Sequence, residues 1–251
     1  MRNRRASRVL GSLLAVGLVL AAPTAAGAKV DARSLIRQAE TQYQGRSSHA
    51  IMHMKVVTAS WTREMTLESW SQGRDKMLSK VLSPKKDAGV ATLKVGSDLW
   101  NYLPKIDRLM KIPTSLMGDR WMGSHLTNDD LVKEQKIDEI YDFKVEKETA
   151  KEATIVATPR PDAPVVWGKI VYRLDLERDT PIRIRYFDED GELARTLEFS
   201  DLREIDGRTV PTRLRFVPAD PPGEYTELSY EKLDYDPNLP DGLFSIRSLR
   251  K

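Results

Sequence analysis

The sequence contains no cysteine. That absence excludes disulfide staples, thiolate metal sites and a lipid-modified N-terminal cysteine, so the fold must stand on its core alone. Histidine is scarce too, with His49, His53 and His125 as the full complement. His49 and His53 are four apart in a stretch that alternates like a strand, which sets them on one face about 13 Å apart, too far to share one ion. Gly123-Ser124-His125 puts a hydroxyl beside an imidazole, but adjacent side chains rarely meet and no Gly-x-Ser-x-Gly elbow is present. A glycine-rich phosphate loop is also missing. Asp129-Asp130 has no His or third carboxylate at a useful spacing, so it reads as the first turn of a helix capped by Thr127 or Asn128 rather than as a metal site. The expectation is a protein with no enzyme activity, no metal and no cofactor.

Long apolar runs are missing beyond the first segment, which combines Arg2, Arg4, Arg5 and Arg8, an apolar stretch from Val9 to Ala22, and Ala26-Gly27-Ala28. The run falls short of the roughly 20 residues of a membrane span, and the pattern is that of a secretory signal peptide over residues 1–28. An excess of one charge is lacking as well. Without the four leader arginines, 36 basic side chains face 37 acidic ones, so the pI of 8.9 belongs to the leader. Nucleic acid is therefore excluded as a partner, and a soluble periplasmic protein is expected.

What the chain does contain is one helical segment and many alternating ones. Leu35, Ile36, Ala39 and Tyr43 recur at helical spacing between Asp31 and Gly45, which predicts an amphipathic helix docked on a sheet. From Ser48 the period changes to two: Met52, Met54 and Val56 alternate with His53, Lys55 and Val57, and Met65 and Leu67 alternate with Glu64, Thr66 and Glu68. Further strands are expected at 76–82, 90–95, 99–103 and 108–112. After an irregular stretch come seven more, at 143–147, 153–158, 169–177, 182–187, 193–202, 209–216 and 225–233. Asp190-Gly191 and Asp206-Gly207 are hairpin turns between them. The predicted class is α+β and mainly antiparallel β, a single highly curved sheet forming one domain over residues 29–251.

Methionines 52, 54, 65, 77, 110, 117 and 122 all fall in the first half of the mature chain, near Trp61, Trp70, Trp100 and Trp121. Methionine adapts to variable apolar partners, so a curved sheet lined by these residues suggests a cavity for a flexible chain. The candidate wall is Met52, Met54, Met65, Leu67, Trp100, Tyr102 and Met110, and the candidate lid is Leu116, Met117, Trp121 and Met122.

The stretch from Gly96 to Pro104 (Gly-Ser-Asp-Leu-Trp-Asn-Tyr-Leu-Pro), with Arg108-Leu-Met-Lys-Ile112 after it, resembles the outer membrane lipoprotein-sorting family, relatives of the periplasmic lipoprotein carrier of the Lol pathway. The segments Met117 to Ser124 and Asn128 to Leu131 are similar to an uncharacterised sorting-like branch of it, and Leu239 to Ile246 is similar to the family's closing segment. The resemblance implies a half-open antiparallel β-barrel with an N-terminal helix and a helical or loop lid. It implies a monomer that receives acyl chains of lipoproteins or other lipids, with an inner-membrane transporter as donor and an outer-membrane acceptor. In the carrier an arginine on an early strand regulates cargo hold and release; Arg74 lies in a comparable region, but its neighbours do not match. The alternative is an accessory module for a membrane transporter, with the barrel filled by its own side chains.

Overall fold

The structure is a computed structural model that describes residues 31–133, 137–163 and 165–250; the expected signal peptide, residues 1–28, lies outside them. Helix α1 (Ala32–Gln44) is followed by β1 (Ser47–Val57), β2 (Thr62–Gln72), β3 (Lys76–Ser83), β4 (Ala91–Val95), β5 (Asp98–Leu103) and β6 (Arg108–Lys111). Short helices α2 (Asn128–Lys133) and α3 (Ile137–Ile140) come next, then β7 (Tyr141–Glu148), β8 (Glu152–Pro159), β9 (Lys169–Asp175), β10 (Thr180–Phe187), β11 (Leu193–Ile205), β12 (Arg208–Pro218) and β13 (Tyr225–Tyr235). All thirteen alternating segments are strands, and most are joined to the next by short turns. At Asp206-Gly207, for example, both residues adopt positive φ, which suits a two-residue hairpin.

The strands form one antiparallel sheet in the order β6-β5-β4-β3-β2-β1-β13-β12-β11-β10-β9-β8-β7. The first and last strands pair in the middle, and each half meanders outward from them. This leaves β6 and β7 as the two edges, with no strand partner across the gap among the described residues. The described chain between them, residues 112–133 and 137–140, lies between one lip of an open, curved sheet and the other. We call it the strap.

The inner face of the sheet carries the main core. Ile36, Ala32 and Ala39 of α1 pack against Met54, Val56, Met65 and Leu67 from one half and Ile155, Ile170, Tyr172, Ile184, Leu197 and Phe216 from the other. Burying Ile36 alone is worth about 2–3 kcal/mol, so α1 is held by its apolar stripe rather than by helix propensity. The N-terminus of α1 is capped as the sequence predicts: the Asp31 carboxylate accepts from Ser34 N at 3.2 Å and from its hydroxyl at 2.6 Å.

A second cluster lies on the opposite face. Leu78, Leu93 and Tyr102 pack with Trp70, Trp100, Phe244 and Leu249, so the C-terminal segment, ending in a 3₁₀ turn over Ile246–Arg250, covers the outside of β3 to β5.

Candidate functional site

The site begins with the inner face and what covers it. Met54, Met65 and Leu67 are fully buried there, and Met52 packs against them half-buried. They alternate along β1 and β2 and face each other across the pair, Met52 opposite Leu67 and Met54 opposite Met65. Met110 is half-buried on the edge strand β6, opposite Asn101.

Trp100 and Tyr102 correct the expectation. They point to the outer face, where Leu249 and Phe244 cover them, and Leu99 takes the inward position with Ile112 and Val132. Both faces of β5 are apolar, so alternation fixes which residues share a face but not which face is inner. That choice depends on a C-terminal segment more than a hundred residues away.

The strap lies directly on the inner face. Trp121 is 5% exposed, packs in the main core, and donates its indole N–H to Thr92 Oγ1 at 3.0 Å. Met122 packs beside it with φ +51, a left-handed backbone that costs about 1–3 kcal/mol for a non-glycine residue. Met117 packs with Leu99 and Ile112, and Leu116 is exposed. Thus Met117, Trp121 and Met122 are brought onto the sheet and Leu116 is not.

Charged contacts fasten the strap, and sequence reading missed their function. Thr127 and Asp130 form the expected N-terminal cap of α2, with Thr127 N donating to Asp130 at 2.6 Å and Asp130 N to Thr127 Oγ1 at 3.1 Å. Asp130 also takes a two-pronged contact from Arg195 of β11, at 2.5 and 2.6 Å, with both side chains almost fully buried. The guanidinium is surrounded by Tyr186, Trp167 and Phe216 at 4.2, 4.7 and 5.6 Å from the ring centres. A signal existed in the sequence: Arg195 is in step with Leu197 on the inward side of an alternating strand, where a charge needs a partner.

Asp138 of α3 is the second fastening. Its buried carboxylate accepts from Arg37 of α1 at 2.7 Å and from Arg74. Burial pushes its pKa up, but the two guanidinium groups outweigh that and hold the carboxyl below its ordinary range. Arg74 sits in the turn between β2 and β3 rather than on a strand, and contacts α3 of the strap. His125 is the third, with Nε2 3.1 Å from Glu224 and Nδ1 2.9 Å from Thr226 Oγ1. Ser124 instead donates to Trp121 O, so the adjacent Ser and His do not form a nucleophile and base.

With α1 and the strap in place, the gap between strap and sheet among the described residues is small. The gap between strap and sheet, lined by Asp129, Asp130, Tyr141, Trp167 and Tyr186, has a volume of 20 Å³, about that of one water. Larger hollows of 360, 390 and 360 Å³ are open grooves on the surface, beside His53 and Glu64, beside Arg183 and Arg215, and beside Lys147 and Arg173. Among the described residues no group of three His, Asp or Glu could hold a metal, and no helix is long and apolar enough to cross a membrane.

Solved structures of other proteins share this fold. A DUF1329 family protein from Desulfovibrio piger has a TM-score of 0.79 at 22% identity, covering 87% of this chain and 97% of its own. A protein domain named for outer membrane lipoprotein sorting, from Vibrio parahaemolyticus, scores 0.75 at 22% identity, with 88% and 98% covered. A LolA superfamily protein from Nitrosomonas europaea scores 0.73 at 18% identity, with 88% and 100% covered. No curated protein matches the sequence. A family model described as "-like: Uncharacterized protein" matches residues 73–251. The chain belongs to that uncharacterized protein-like family, and its fold is the LolA-like fold of outer membrane lipoprotein-sorting proteins.

Proposed function

We propose that the protein is a non-enzymatic periplasmic carrier that shields acyl chains of lipoproteins or other lipids on their way toward the outer membrane. In this reading the signal peptide, residues 1–28, is removed and residues 29–251 act as one monomeric sorting domain between an inner-membrane transporter and an outer-membrane acceptor. The observation that carries it is the cover of the inner face. A strap and one helix close an apolar, methionine-containing sheet, and the strap is fastened by a few ion pairs instead of by strand pairing. Such a cover can lift without breaking the sheet. An acyl chain of about 16 carbons would gain on the order of 10 kcal/mol by burial, at about 0.8 kcal/mol per methylene, enough to displace side chains that now fill the space. Met52, Met54, Met65 and Leu67 would form the wall and Met117, Trp121 and Met122 the underside of the lid.

The packed interior, with its gap of 20 Å³, favours one second reading: an accessory module whose barrel is filled permanently by α1 and the strap. Uptake of a fluorescent fatty acid by the purified mature protein, followed by hydrogen exchange, separates the two. The carrier reading expects saturable uptake with faster exchange in residues 121–133 and 137–140. Failure to take up lipid, together with no lipid co-purifying from the periplasm, would refute it and leave the filled module.

A further inference from the structure

We propose that Arg195 is the anchor for the anionic head of a single-chain amphiphile, a carboxylate or a phosphate monoester, and that Asp130 occupies this seat while the strap is closed. The inference rests on the carrier reading and narrows its ligand class.

The guanidinium offers two parallel N–H groups to one planar carboxylate, at 2.5 and 2.6 Å, a geometry that any carboxylate or phosphate on a mobile chain can adopt. Its aromatic surroundings do not belong to the strap. Tyr186 and Phe216 are on strands β10 and β12, and Trp167 immediately precedes β9. Arg195 also donates to the strap's His125 carbonyl at 3.2 Å, so when the strap lifts Asp130 and that carbonyl leave and the aromatic wall of the seat remains. The seat also adjoins the apolar surface that would take the chain, since Leu197, Ile184, Tyr186 and Phe216 belong to the same core as Met54 and Leu67.

Electrostatics then couples opening to the ligand's charge. Removing one member of a buried ion pair strands the other in an apolar setting, which is strongly unfavourable. The Arg195 side chain is 5% exposed with the strap closed, and the rings of Tyr186, Trp167 and Phe216 that wall it stay behind when α2 lifts and restrict its rehydration. Arg74 and Arg37, the partners of Asp138, are 33% and 60% exposed and can be rehydrated when α3 lifts. Of these two fastenings, therefore, the one at Arg195 demands a replacement anion. A neutral chain of equal length opens the strap at a penalty that an anionic one avoids. The acyl groups of a lipoprotein carry no charge at the chain end, so this seat selects for free fatty acids or long-chain phosphate monoesters.

Equilibrium dialysis of the purified mature protein with palmitate, hexadecyl phosphate and hexadecanol, below their aggregation limits, tests this. At least one of the anions should bind about tenfold tighter than hexadecanol, and the better of the two identifies the head. Arg195→Gln should abolish the preference, so that the anion binds no tighter than the alcohol to that variant. Should that variant not fold, Asp130→Asn keeps the seat and removes the charge of its occupant; it should bind the anion several-fold tighter and gain more in melting temperature from it than the wild type does. Equal affinity for anions and alcohol in the wild type overturns the anchor and leaves the carrier standing. Binding of none of the three overturns both.

Discussion

Replacing Trp121 by Ser asks whether the strap is a loose gate or part of the core. The indole is 5% exposed, packs with Leu126 and the α1 cluster, and donates its N–H to Thr92. Truncating a buried Trp costs about 3–5 kcal/mol, and a further buried polar group comes with the serine. For a folded region of this size each kcal/mol lowers the melting temperature by about 2–4 °C, so a drop on the order of 10 °C is expected. Urea denaturation of wild type and variant, followed by far-UV circular dichroism, gives the difference at constant slope. Met122→Ser is the internal comparison: its side chain is only half-buried, and it should cost about 1 kcal/mol. A Trp121→Ser variant destabilised by less than about 1 kcal/mol would refute the packing argument, because it falls outside the range for a filled site. A large loss instead means that opening must move the strap as a unit, with its fastenings, rather than flip one side chain.

Two other outcomes are expected. Asp138→Asn should destabilise the protein by about 1–2 kcal/mol at pH 7, a figure reduced for the half-exposed arginines. Because the folded carboxyl is held below its ordinary range, its contribution is complete above about pH 4 and is lost as the pH falls through the folded value, so the gap between wild type and variant should close in acid urea titrations and not in alkaline ones. Gly168→Ala places a Cβ 2.5 Å from the Asp188 carbonyl oxygen, in the turn after β10, and should cost about 1–3 kcal/mol by thermal melting; an unchanged melting temperature would show that the turn can move aside.

The alternation of Met54 and Val56, of Met65 and Leu67, and of Ile170, Tyr172 and Leu174 determined the strands and their paired faces, because side-chain period in a strand is a local property. Local chemistry likewise settled the caps at Asp31 and Thr127 and the turn at Asp206-Gly207. Three things were not local. The pairing of β1 with β13 makes β6 and β7 the lips of the sheet, and only this closure turns residues 112–133 and 137–140 from an irregular stretch into a strap across the mouth. The inner face of β5 was decided by the C-terminal segment packing on Trp100 and Tyr102. The partnership of Asp130 with Arg195, 65 residues apart, and of Asp138 with Arg37 and Arg74 gave an ordinary helix cap and scattered surface-type charges their role as fastenings. Period and capping depend on neighbours along the chain, whereas the covering of a face and the pairing of a buried charge depend on which distant segments the sheet brings together.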